Sequence, residues 1–260
     1  MLLSVVIPAH NEAECIVSTV TTLVTELRGE NIPHEILVVD DGSTDETAEV
    51  VATLARTYRE VLLVRNAAPH GFGNAVRAGL RQFSGEAVAI MMADNSDSPR
   101  DLVTYYRCIE GGAECVFGSR FIEGGSTIDY PVHKLIINRL ANWFIAGLFR
   151  LRLNDTTNAF KCYRRHVIQG LQPLISPHFN LTVEMPLKAI VRGYSYSIVP
   201  ISWQNRTTGM SKLKLKEMGS RYLFIVLYLW LEKHLSRGDY RRPVPVASPS
   251  EATAKLVRNA

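Results

Sequence analysis

One arrangement repeats through the first half of the chain: a short apolar, β-branched run, then a polar cluster, then a stretch of helical character. The runs are Leu3–Pro8, Glu35–Asp40, Val61–Arg65, Ala87–Met92 and Ala113–Gly118. Between them lie the helical stretches Glu12–Arg28, Asp45–Thr57, Gly73–Phe83 and Pro99–Glu110. Apolar strands alternating with helices predict an α/β fold with a mainly parallel sheet flanked by helices. In such sheets ligands bind just beyond the carboxyl ends of the strands. Four polar clusters follow strand ends here: His10-Asn11-Glu12, Asp40-Asp41-Gly42-Ser43, the segment Asp94 to Asp97, and Gly118-Ser119-Arg120. The pattern predicts a single crevice that collects them.

Past residue 130 the pattern changes. His133–Phe149 is apolar except for Lys134, Asn138 and Asn142, whose four-residue spacing puts them on one helix face, with Arg139 beside them. A second helix is expected over Leu215–Leu235. Its unbroken apolar part, Tyr222–Leu231, is ten residues long. It would span about 15 Å, half the roughly 30 Å of a bilayer core. Arg221, Glu232 and Lys233 bound it, which predicts an interfacial helix rather than a membrane span.

Charge supports that reading. Residues 1–204 carry 18 basic and 21 acidic side chains (net −3), whereas residues 205–242 carry 9 and 3 (net +6). Basic charge beside the most apolar run points to an anionic membrane surface, and no RNA-binding motif or zinc finger supports a nucleic-acid partner. The four cysteines are scattered without a CxxC pair, which argues against a zinc ligand set or disulfide framework and for a reducing cytosol. Met1 runs straight into a strand-like segment with no basic leader, so no signal peptide is expected.

The opening Val5-Val6-Ile7-Pro8-Ala9-His10-Asn11-Glu12, followed by Val38-Val39-Asp40-Asp41-Gly42-Ser43-Thr44-Asp45, resembles the family-2 glycosyltransferases. Three further motifs narrow the resemblance to the dolichol-phosphate mannose synthase branch. They are Gly118-Ser119-Arg120-Phe121, Asp155-x-Thr157-x-Ala159-Phe160-Lys161-x-Tyr163 and Asn205-Arg206-x-x-Gly209-x-Ser211-Lys212. The resemblance covers about residues 3–216. It implies a GT-A (Rossmann-like) fold; the apolar run and its polar breaks add C-terminal amphipathic helices at a membrane interface over 215–236, and the Pro-, Ser- and Ala-containing composition a mobile tail over 237–260. The catalytic domain would be residues 1–214, held peripherally at the cytoplasmic face of a membrane. The implied reaction is inverting transfer of a hexose from a nucleotide-sugar (GDP-mannose or UDP-hexose) to a polyprenyl or dolichyl phosphate, with Mg²⁺ or Mn²⁺.

Asp40 and Asp41 end a strand and enter a Gly-Ser turn, where carboxylates can accept hydrogen bonds from a nucleotide base or ribose. Ser43 and Asp45 are accounted for by capping of the next helix. The resemblance makes Pro8, His10 and Glu12 the opposite wall of the nucleotide pocket; for His10 the alternative is an ordinary solvated loop. In Met92-Ala93-Asp94-Asn95-Ser96-Asp97 the family's usual Asp-x-Asp is incomplete. Met92 stands at its first position, Asp94 at its second, and Ser96 where Gln is common. Mg²⁺ takes only one or two carboxylates and completes its octahedron with water and phosphate oxygens. Asp94, helped by Asp97, is therefore expected to hold metal against a diphosphate, while Ser98 caps the helix starting at Pro99.

A phosphate monoester is already anionic near neutral pH, so this chemistry requires no base to create the nucleophile. It requires cations that position two anions and relieve charge on the leaving diphosphate. Arg206 and Lys212 are expected to clamp the donor diphosphate. Arg120, with Lys134 and Asn138, is expected to hold the acceptor phosphate, His133 being an alternative to Lys134. The expected catalytic set is Asp94, Arg120, Arg206 and Lys212. Glu184 reads as ordering its neighbours, and Gly71 and Gly73 as turning the backbone before a helix, with a nucleotide contact as the alternative. Two other functions stay open: transfer to a growing glycan or protein-bound group, and non-catalytic binding of a nucleotide-sugar, for which Met92 is the reason.

Overall fold

A computed structural model describes residues 1–205 and 215–242. Its elements in chain order begin with β1 (Leu3–Ala9), α1 (Ala13–Gly29), β2 (His34–Asp40), α2 (Thr47–Thr57), β3 (Val61–Arg65) and α3 (Phe72–Leu80). Then come β4 (Ala87–Ile90), α4 (Pro99–Glu110), β5 (Cys115–Ser119), β6 (Ser126–Ile128), α5 (Val132–Phe149) and β7 (Lys161–Arg164). The last are α6 (Arg165–Gly170), α7 (Leu181–Val191), β8 (Tyr196–Pro200), β9 (Ser202–Gln204) and α8 (Leu215–Leu235). The five expected strands form with ends moved by a residue or two, whereas β7, β8 and the β6–β9 pair add to the expected set.

Seven strands make one sheet in the order β3-β2-β1-β4-β7-β5-β8. All its pairings are parallel except those of β7, which runs antiparallel between β4 and β5. Successive strand residues point to opposite faces, and both faces are covered. Val5, Ile7 and Val38 pack with Ile16, Val20 and Leu23 of α1, Val51 of α2 and Leu102 of α4. Val6, Leu37 and Val39 pack with Val76 of α3, Val167 of α6 and Met185 of α7. The chain leaves β1 in one direction for β2 and β3 and returns on the other side as β4, and such a reversal opens a crevice at the strand ends.

A third cluster joins the two long late helices to the body. Ile145 and Phe149 of α5, Val183 and Leu187 of α7, and Ile225, Val226 and Leu229 of α8 are buried together. A buried ion pair reinforces it, Arg192 Nε to Glu232 Oε1 at 2.9 Å. At about 1.5–3 kcal/mol per buried apolar side chain, the three α8 residues alone favour a docked helix. The expected helix thus forms over Leu215–Leu235, with one side packed on the body. Leu223, Phe224, Leu227 and Leu231 are exposed on its other side, so α8 is apolar both where it packs and where it faces outward. Beyond it, Arg242 returns to the body, its N–H donating to Arg192 O at 3.0 Å, so packing continues past the boundary expected at 237.

Helix α5 is inside-out. Its polar stripe faces the protein: Asn142 is buried, and its Oδ1 accepts the N–H groups of Thr156 (2.6 Å) and Thr157 (3.2 Å). Asn138 Nδ2 donates to Thr157 Oγ1 at 2.7 Å. Val132, Ile136, Leu140 and Trp143 are instead exposed. No helix among the described residues is long and apolar enough to cross a membrane.

Candidate functional site

A cleft of about 600 Å³ opens at the carboxyl ends of β1, β2 and β4. Pro8, His10, Glu12 and Asp41 line it from the β1 and β2 ends. Asp94 and Asp97 line it after β4, Arg120 after β5, and Lys134 and Asn138 from α5. One expected nucleotide residue departs from this convergence. Asp40 does not line the cleft, because its Oδ1 turns back to accept the N–H of Ser43 at 3.1 Å, closing the Gly-Ser turn. Arg206 and Lys212 lie outside the described residues. His133 is exposed, and Lys134 is the residue of the two that reaches the cleft.

Asp41 is held in place by donors on both oxygens. Asn66 Nδ2 (2.7 Å) and His70 Nδ1 (3.2 Å) donate to its Oδ1, and the Gly71 N–H donates to Oδ2 at 2.7 Å. His10 Nδ1 donates to the Asp41 carbonyl at 2.9 Å. Gly71 has φ 141°, a conformation that side chains rarely adopt. A Cβ on Gly73 would meet the Ser176 carbonyl at 2.2 Å. The two glycines thus let the segment before α7 come close, bringing His178 and Phe179 into the cleft wall, where Phe179 stacks on Phe72 with ring centroids 4.3 Å apart. Glu184 secures that segment by accepting the N–H groups of Ile175 (2.8 Å) and Ser176 (2.7 Å) while paired with Lys188 at 2.8 Å.

The acidic loop is folded on itself. Asp94 Oδ1 accepts the N–H of Ser96 at 3.2 Å, and Asp97 Oδ2 accepts that of Met92 at 2.9 Å. Burial drives the Asp97 carboxyl up to about 7, and the nearby Asp94 charge adds to this against the Met92 hydrogen bond. Among the described residues no three His, Cys, Asp or Glu side chains converge as a metal ligand set. Two mutually repelling carboxylates nevertheless fit a divalent ion that draws its remaining ligands from water and phosphate.

Arg120 is buried and committed. Nε donates to Asp155 Oδ2 at 2.8 Å and Nη2 to Oδ1 at 2.7 Å, while its backbone N–H donates to Oδ2 at 3.1 Å. Phe121, Tyr130 and Trp203 surround the guanidinium, their ring centres 5.2, 5.5 and 5.7 Å away. Below it, Lys161 Nζ donates to Thr156 O and Thr182 O at 3.1 and 3.3 Å. Burial pulls its ammonium down to about 7, Asp155 working in the opposite direction and Arg120 in the same one.

Sequence reasoning missed His70, Tyr130, His178, Trp203 and Arg221 as lining residues. None has a local pattern that would have marked it. Thr157 stood in a motif, and the structure gives it the job of meeting the α5 stripe.

The sequence pattern described as "Glycosyl transferase family 2" matches residues 4–171. A polyprenol monophosphomannose synthase of Mycolicibacterium smegmatis is 30% identical over 217 residues, covering 80% of each chain. A dolichol-phosphate mannosyltransferase of Pyrococcus furiosus is 30% identical over 222 residues, 83% of this chain and 60% of that protein's length. Among solved structures, glucosyl-3-phosphoglycerate synthase from Mycobacterium tuberculosis, in complex with Mn²⁺, uridine diphosphate and phosphoglyceric acid, superposes with a TM-score of 0.68. That match covers 88% of this chain and 78% of the other at 19% identity, a likeness of fold.

Proposed function

The chain belongs to glycosyl transferase family 2, and we propose that this enzyme transfers a mannosyl residue from a nucleoside diphosphate sugar to a polyprenyl phosphate at a membrane surface. The observation that carries this reading is a shared cavity. Carboxylates at the β1, β2 and β4 ends and phosphate-type partners from β5 and α5 line the same cleft, and α5 turns apolar side chains outward beside it.

In this reading Asp41, fixed by Asn66, His70 and Gly71, meets the nucleoside, with Pro8, His10 and Glu12 opposite. Asp94 and Asp97 would hold Mg²⁺ or Mn²⁺, which when bound neutralises charge on the leaving diphosphate. Arg206 and Lys212 take the same diphosphate. Lys134 and Asn138 receive the acceptor phosphate, and Arg120, its fork committed to Asp155, offers its remaining N–H groups. An acceptor oxygen bonds to the anomeric carbon as the bond to the donor phosphate breaks on the opposite side, and the nucleoside diphosphate leaves with the electron pair. The exposed apolar faces of α5 and α8 rest on the lipid surface.

The test is to assay purified chain with GDP- and UDP-sugars, short polyprenyl phosphates, and Mg²⁺ or Mn²⁺. Mannosyl transfer to the lipid phosphate is expected. Transfer confined to non-lipid acceptors, or no turnover by pure protein, would overturn the reading.

A further inference from the structure

The cations around the cleft divide into those already matched to an anion and those that are not. Arg120 is bound through two nitrogens to Asp155. Outside the cleft lining, Lys188 is paired with Glu184, and Arg192 with Glu232. Lys134 on α5 and Arg221 on α8 also line the cleft, and neither forms an ion pair with a described residue. A phosphate monoester carries a charge of about −1.5 to −2 near neutral pH. One lysine does not balance that charge, and Arg120 offers only the N–H groups that Asp155 leaves over.

Placement assigns the second charge. Helices α5 and α8 pack against each other through Ile145, Phe149, Ile225 and Leu229. Each turns apolar side chains outward, Ile136 and Leu140 on α5 and Phe224 and Leu227 on α8. Arg221 precedes Phe224 by three residues, so the two are neighbours on the helix surface. Tyr222, next to Arg221, donates to Phe179 O at 3.2 Å and fixes this turn against the cleft wall. A lipid whose chain lies along the outward faces would bring its phosphate to the cleft that Lys134 and Arg221 both line.

We infer that Arg221 is a second acceptor-phosphate residue and forms, with Lys134, a two-cation clamp across the α5–α8 pair. The inference rests on the polyprenyl-phosphate reading above. It makes α8 part of the acceptor site, presented by its docking through Ile225, Val226, Leu229 and the Arg192–Glu232 pair.

Steady-state kinetics of Arg221→Gln and Arg221→Lys, with a short polyprenyl phosphate and the nucleotide-sugar varied separately, test it. Arg221→Gln should raise the acceptor KM roughly ten-fold or more, as expected for a lost charge-assisted contact, with the donor KM within two-fold of the parent. Arg221→Lys should restore most of the acceptor affinity and covers the case in which Gln disturbs helix docking. A rise confined to the donor KM would place Arg221 on the leaving diphosphate and overturn the clamp, as would unchanged constants for both. Parent protein that transfers only to non-lipid acceptors would instead remove the underlying reading, so the two failures are distinguishable.

Discussion

Arg120 and Asp155 form a buried two-point pair, with nitrogen–oxygen distances of 2.8 and 2.7 Å, and Asp155 also accepts the Arg120 backbone N–H. The pair closes β5 onto the loop that precedes β7. Asp155→Ala would leave a buried guanidinium without its counter-charge, a change that costs about 3–5 kcal/mol. Urea unfolding should show that loss. A loss under 1 kcal/mol would mean that water or Asp97 replaces the partner.

The acidic loop gives a second expectation. Asp94→Ala should abolish the increase in nucleotide-sugar affinity that Mg²⁺ or Mn²⁺ produces, and chelation of the parent protein should mimic it. Calorimetry with and without metal reads both effects. Asp97→Ala should have the smaller effect on metal response, because burial raises its carboxyl to about 7 and disfavours the anionic form a metal needs. Undiminished metal response in Asp94→Ala would move the ion elsewhere.

Glu114 supplies a pH dependence. Burial acts to raise its carboxyl, but donation from the Ser195 N–H and hydroxyl and from His166, with the Arg242 charge, outweighs this and holds it at about 2, against an ordinary 4.5. A depressed carboxyl stabilises the fold fully above pH 4.5 and loses that contribution as pH falls towards 2. Glu114→Gln should therefore lower the denaturation midpoint at pH 7, with the gap from the parent closing between pH 4.5 and 2. A gap that stays constant would show that charge is not what Glu114 contributes.

The outward face of α5 gives a fourth. Leu140 and Trp143 are 62% and 78% exposed, so the double change Leu140→Glu with Trp143→Glu should alter folding stability by no more than about 0.5 kcal/mol per site. Binding to anionic vesicles should fall a hundred-fold or more, because two side chains at about 1.5–3 kcal/mol each are no longer buried in lipid. Co-sedimentation measures this. Undiminished binding would remove α5 from the membrane contact.

What the sequence made legible was the part governed by local pattern. Runs such as Val5-Val6-Ile7 and Ile36-Leu37-Val38-Val39 are apolar because helices cover both faces, and that requirement is written residue by residue. Strand β7 was hidden because Lys161 and Arg164 break its apolar character. Lys161 is buried and Arg164 half-buried against partners far away in sequence, Thr182 O and Ala113 O respectively. The donor-side wall was half legible: Asp41 directly follows a strand, but its partners Asn66 and His70 come from the connection between β3 and α3. His178 reaches the cleft only because Gly71 and Gly73 admit its segment and Glu184 pins it. The four-residue spacing of Lys134, Asn138 and Asn142 did reveal a face of α5, although not which way that face pointed.

That orientation gives α5 a fixed rotational phase. At 3.6 residues per turn, inserting one residue between Lys134 and Asn142 swings everything after it by about 100°. Asn142 would then leave the Thr156 and Thr157 N–H groups, and Trp143 would turn from its outward position. Exchanges among outward apolar side chains leave the phase untouched, so the helix tolerates drift in composition there but not a change of length.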